Sequence, residues 1–207
     1  MAGFGQRTVV SSTPVEFFLQ GSLHTDFGGV LASGSRDWDN SPTTRIRAIL
    51  ALGRRTSDDL LLPVRRTTTD AQVVNTNTTI PLTETVMFAV GNSVTIENAA
   101  GTDTCDLGTI SSISAGVSVV VSSAVDATFA SGSWFYVSDG TQTAIGLLET
   151  QCDMLSGENH TEENQLVNMV VATGPGTVVD NAQINNYDSK VRSDLVNNIL
   201  WKVDLGI

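Results

Sequence analysis

Between residues 80 and 149 the chain is a ladder of short β-branched runs punctuated by Gly, Asn and Ser, the pattern of small strands joined by tight turns. The runs at 93–97, 108–113 and 117–122 are the clearest, with Gly91-Asn92 ahead of the first and Ala115-Gly116 between the last two. A further strand is expected over 86–90, and residues 128–132 lead into another at 133–138. Five strands in so few residues predict a small SH3-like or OB-like barrel. The ladder ends in Trp134-Phe-Tyr-Val, Asp139-Gly140 and an apolar run over 143–149, which reads as strand, Asp-Gly turn, strand. Within the run Trp134-Phe-Tyr-Val, Trp134 and Tyr136 share one face, and Phe135 and Val137 share the other.

Outside the ladder the pattern is thinner. Residues 1–12 read as an extended arm or as a frayed terminus, with Phe4 between Gly3 and Gly5 and Arg7 following. Residues 21–42 are loop-rich, with Trp38 held between Asp37 and Asp39. Residues 44–52 fit a short helix or a strand equally well. Leu60–62 should form a strand entered by a turn at Asp58-Asp59. Residues 67–79, rich in Thr, Asn and Gln, read as a linker or a long hairpin. A strand over 166–172 follows a polar loop at 156–164. The one helix expected comes last: Tyr187, Val191, Leu195 and Ile199 recur every four residues, with Asn186 or Asp188 as N-cap and Gly206 as terminator. That stripe should face the body of the protein, leaving Lys190, Asp194 and Asn198 outside.

The expected fold is therefore mainly β: small β-barrel or β-tulip-like modules with a C-terminal α-helix. It divides into a β-rich region with an N-terminal arm (1–75), a small β-barrel module that could be an insertion (76–138), and strands with the terminal helix (139–207). A chain of 207 residues can bury a core of that size.

Charge narrows the class of partner. Only 16% of residues are charged, which suits protein–protein contact surfaces better than a small soluble enzyme. Residues 1–66 hold eight arginines against six acids, while residues 67–207 hold sixteen acids against Lys190, Arg192 and Lys202. Phosphate is repelled by so acidic a body, so no nucleic-acid partner is expected. Arginine pairs bidentately with carboxylates and is favoured at interfaces, which makes Arg7, Arg54 and Arg55 candidates for partner contact beside Phe4 and Trp38. No run approaches the roughly 18 apolar residues of a membrane span, and residues 1–7 lack the apolar core of a signal peptide. No membrane partner is expected, and synthesis in the cytoplasm is. Cys105 and Cys152 do not make a disulfide framework, and reduced thiols are expected.

Chemistry is sparse. His24 and His160 both read as residues of polar loops, and the sequence lacks a nucleophile elbow, a Walker motif and a dinucleotide fingerprint. No catalytic residue, metal site or cofactor is expected, so the chain should work by shape and contact.

Residues 139–149 (Asp-Gly-Thr-Gln-Thr-Ala-Ile-Gly-Leu-Leu-Glu), Cys152-Asp153, the 167–174 strand and the closing helix resemble the head decoration (cement) proteins of tailed bacteriophages, the lambda-type family. The likeness covers about the last third of the chain. It implies a homotrimer seated on the exterior of the capsid in the virion, with the major capsid protein as partner. It also implies an arm that adds β-structure to that partner, and stabilisation of the mature shell by mass action. Two other classes remain open: a phage tail, fibre or baseplate component that uses the β-module on a host surface, and a small hydrolase built on the histidines.

Overall fold

A computed structural model describes residues 23–155, 161–173, 184–186 and 188–196. The fold is mainly β with one short C-terminal helix, as the pattern predicts. The strands among the described residues are β1 (Leu23–Leu31), β2 (Arg45–Ile46), β3 (Ala51–Arg54), β4 (Leu61–Pro63), β5 (Arg66–Thr68), β6 (Thr79–Pro81), β7 (Ser93–Glu97), β8 (Thr104–Ser114), β9 (Ser118–Val121), β10 (Trp134–Val137), β11 (Gly146–Leu148), β12 (Cys152–Asp153) and β13 (Gln165–Thr173), followed by α1 (Ser189–Leu195).

Strands from both ends of the chain close one barrel in the order β1-β13-β11-β3-β4, sealed by the parallel pair Leu31↔Leu61. The intervening chain builds a six-stranded sheet, β5-β10-β7-β8-β9-β6. An isolated bridge, Thr69↔Leu82, ties the chain just beyond β5 to the chain just beyond β6, so the sheet curls around its own core. Residues 66–138 therefore form a module set between β4 and β11 of the barrel.

Alternation decides what each strand buries. In β10, Phe135 and Val137 are buried in the module core, whereas Trp134 and Tyr136 on the other face are half-buried. The module core gathers Val73, Ile80, Val94, Ile96, Val119 and Phe129 around Phe135. The barrel has a separate interior of Leu31, Ile46, Leu52, Leu61, Leu148, Val167 and Met169. A third cluster joins the outside of the barrel to α1: Leu147, the neighbour of Leu148 in β11, packs there with Val170, Val191 and Leu195.

Several local expectations are corrected. Asp139-Gly140 is not a hairpin turn: β10 lies in the module and β11 in the barrel, so these residues carry the crossover between them. Gly140 has φ 98°, and a Cβ there would lie 2.5 Å from the Arg54 carbonyl oxygen, so only glycine fits the crossing. Residues 86–90 form turns, not a strand. Phe88 is buried, Val86 and Val90 remain exposed, and the Asn92 side chain accepts the Ala89 amide. Residues 67–79 are not a linker: they begin inside β5, and the backbone of Val73 pairs with that of Phe129. The ambiguous 44–52 segment holds β2 and the start of β3 and no helix.

In α1, Asp188 is the N-cap: it is extended (φ −139°, ψ 171°), and its side chain accepts from the Val191 amide at 2.7 Å. Val191 and Leu195 are buried, as the spacing predicts. Tyr187, Asn198, Ile199 and Gly206 lie outside the described residues, as do Phe4, Arg7 and His160.

Candidate functional site

Where barrel, module and α1 meet, charged side chains converge on Arg66, the first residue of β5. Its neighbours Val64 and Thr67 are buried, so strand and chain path hold it inside, with its side chain only 2% exposed. Arg66 donates through Nε and Nη2 to the two carboxylate oxygens of Asp188, both at 2.7 Å. Its Nη1 donates to Asp194 Oδ2 at 2.9 Å and to the Gln142 carbonyl at 2.6 Å. Asp188 thus caps α1 and clamps the module at once. The fork geometry of guanidinium makes that bidentate grip possible.

A second tie lies alongside. Lys190 in the first turn of α1 donates to both oxygens of Glu97 in β7, each at 2.7 Å. Its ammonium stands 5.8 Å from the Trp134 ring centre and 5.6 Å from that of Tyr136, while the Arg66 guanidinium is 5.8 Å from Trp134. The outward face of β10 is therefore a platform for two cations. Lys190 and Asp194 were expected to face solvent, and both instead face the module. Apolar periodicity marks only the buried stripe of a helix and cannot show that a second unit covers its flank.

Asp194 Oδ2 also accepts the Ala144 amide at 2.9 Å. Asp194→Ala should consequently cost about 1–3 kcal/mol, the penalty of stranding buried donors, and not the roughly 0.5 kcal/mol of a surface change. Urea midpoints of Asp194→Ala and Asp194→Asn check this, with asparagine recovering part of the loss because its carbonyl still accepts.

Burial, with help from the Glu97 carboxylate, pushes the Tyr136 phenol up to about 12. The fold thus favours the neutral phenol, whereas in the unfolded chain it ionises near about 10. Its contribution is complete below about pH 10 and is lost as pH rises toward about 12. Tyr136→Phe should flatten the alkaline fall in stability, measured as unfolding midpoints between about pH 9 and about pH 11.5.

Beside the clamp opens a cleft of about 340 Å³. Leu50, Pro63 and Val64 line it from the barrel side, Thr83, Glu84, Met87 and Trp134 from the module, and Trp38 with Asp39 from the loop between β1 and β2. Trp38 is held there because its neighbour Asp37 is buried and gripped by Arg47: Nε to Oδ2 at 2.6 Å and Nη2 to Oδ1 at 2.7 Å. That hydrogen bond, ahead of the two aspartates' charge, raises the Arg47 pKa above its ordinary value.

Of the residues singled out in the sequence, Trp38 lines this cleft and Arg54 and Arg55 do not. Arg54 pairs with Asp59 at 3.1 Å, and Arg55 Nε donates to Asp58 at 2.9 Å, all within one turn between β3 and β4. The Arg55 hydrogen bond holds the Asp58 carboxyl below its usual range. Arg66, Asp188, Asp194, Lys190 and Glu97 were not singled out from the sequence as site residues. The one signal was that residues 67–138 carry no Lys, Arg or His at all, which makes Arg66 the last cation before a wholly acidic module.

Cys105 lies in the module core and Cys152 in β12, both free thiols, and burial raises the pKa of each. Among the described residues no group of three or more His, Cys, Asp and Glu is placed to hold a metal ion, and no helix is long and apolar enough to cross a membrane. No family model, curated protein or solved structure matches the chain.

Proposed function

We propose that this chain is a structural virion protein of a tailed bacteriophage, a decoration protein that binds the outside of the assembled head and stabilises the mature shell. Its partners on this reading are the major capsid protein and, in a homotrimer, further copies of itself. The observation that supports it most is how the decoration-like segment folds. Its two strand motifs become adjacent antiparallel strands, β11 and β13, paired at Leu147↔Val170, and the helix motif packs against them through Val191 and Leu195. The motifs thus make one side of a single barrel, with the 66–138 module mounted on it by the Arg66 and Lys190 ties.

A ligand that binds only the mature shell stabilises it by about 2.7 kcal/mol per site at a hundred times its dissociation constant. The test is to mix the purified protein with empty expanded heads, measure co-sedimentation and the temperature of shell disruption, and locate the chain on virions by electron microscopy. Copies coating the head and a raised disruption temperature are expected. Copies confined to the tail or to one vertex would instead favour the tail-component reading, and no binding to any particle would refute both.

A further inference from the structure

We propose that the cleft between Trp38 and Trp134 takes the basic side chain of an extended segment of another protein. The cleft combines three elements that such a segment needs. Its apolar lining of Leu50, Val64 and Met87 suits the methylene stem of an arginine or lysine. Trp38 is half-buried, and its indole N–H makes no hydrogen bond among the described residues, so it offers a donor to a peptide carbonyl.

The third element is charge. Four lining carboxylates face the single cation Arg66. Asp37 is taken by Arg47 and Asp188 by Arg66. The other two are exposed: Asp39, 54% exposed and only loosely paired with Arg47 at 3.8 Å, and Glu84, which has no hydrogen-bond or ion-pair partner among the described residues. Glu84 stands on a module whose residues 67–138 contain no cation, and the module's one cation, Arg66, is already held by Asp188 and Asp194. Arg66 and Lys190 already lie over Trp134, so the newcomer is placed on the Trp38 side, between Asp39 and Glu84. A neutral ligand such as a sugar could stack on the tryptophan but would draw nothing from this field.

The inference goes beyond the virion reading and does not depend on it, because the free protein suffices for the test. The probes are a capped, glycine-flanked peptide with one central arginine, the same peptide with neutral citrulline in its place, and cellobiose. The readout is the Trp38 indole N–H resonance, assigned by its disappearance in Trp38→Phe. The arginine peptide should shift it saturably, with affinity falling as salt rises. Glu84→Gln combined with Asp39→Asn, both at exposed positions and so compatible with folding, should weaken binding roughly tenfold. Equal binding of the citrulline peptide, preferential binding of cellobiose, an unaffected double variant, or no shift at about 10 mM arginine peptide would each overturn the proposal.

Discussion

Arg66→Ala is expected to be among the most damaging single substitutions in this chain, costing about 3–5 kcal/mol. The side chain is 2% exposed, while its partners Asp188 and Asp194 keep 24% and 19% exposure. Truncation leaves two largely enclosed carboxylates facing each other without a cation, and it orphans the Gln142 carbonyl. Since water reaches both aspartates in part, the lower half of that range is the sharper expectation. Against a total stability of about 5–15 kcal/mol this is a large fraction. In urea, the midpoint should fall with the slope unchanged. A companion variant separates charge from packing: Arg66→Met with Asp188→Ser and Asp194→Asn removes the charges together and keeps an N-cap. It should recover much of the loss, because exchanging a whole buried ion network for neutral groups is often close to neutral. Arg66→Ala within about 0.5 kcal/mol of wild type would mean that the clamp is ornamental.

The strands that the sequence revealed were those whose signal is local. Alternation in Trp134-Phe-Tyr-Val separates core from outer face in β10, and Ala115-Gly116 sits in the turn between β8 and β9. Likewise Val191 and Leu195 mark the buried stripe of α1. What stayed hidden depends on chain separation. Arg66 meets Asp188 and Asp194 across 122 and 128 residues, and no periodicity connects them. The Asp139-Gly140 pair has the composition of a hairpin turn, yet its flanking strands enter different sheets, because β10 pairs with β7 and β5 while β11 pairs with β13 and β3. Composition gives the turn and says nothing of what the strands join. The cleft was half legible. Trp38 between two aspartates in a glycine-rich loop drew notice, but Met87 sits in the 86–90 stretch, which reads as a strand and folds as turns, and Glu84 lies just ahead of it. The candidate arginines show the converse. Arg54 and Arg55 have the composition of an interface and are engaged by the acids of their own turn.

Phe135→Ala should be comparably severe, at about 3–5 kcal/mol. Phe135 is fully buried, in the strand flanked by β5 and β7, and its ring meets Phe88 edge to face at 5.1 Å and 78°. Such a pair adds about 0.5–1.5 kcal/mol beyond the area it buries. The site also tests how the two units share stability. Phe135 faces the module core, while Trp134 and Tyr136 on the other side of the same strand carry Lys190 and Arg66. A cavity under β10 should therefore loosen the platform on which α1 rests as well as the core. The barrel interior around Leu148 and Met169 shares no residue with the module core, so it should feel the change only through those ties. Hydrogen exchange on Phe135→Ala is expected to show β7 and β10 amides losing protection first, α1 next, and β11 and β13 last. Phe135→Leu, which keeps apolar volume, should show the same order with a smaller loss. If β13 lost protection in step with β7, the ties would be strong enough to make module and barrel a single cooperative unit. The ordered loss expected here would instead make Arg66 and Lys190 the joint between two separately packed bodies.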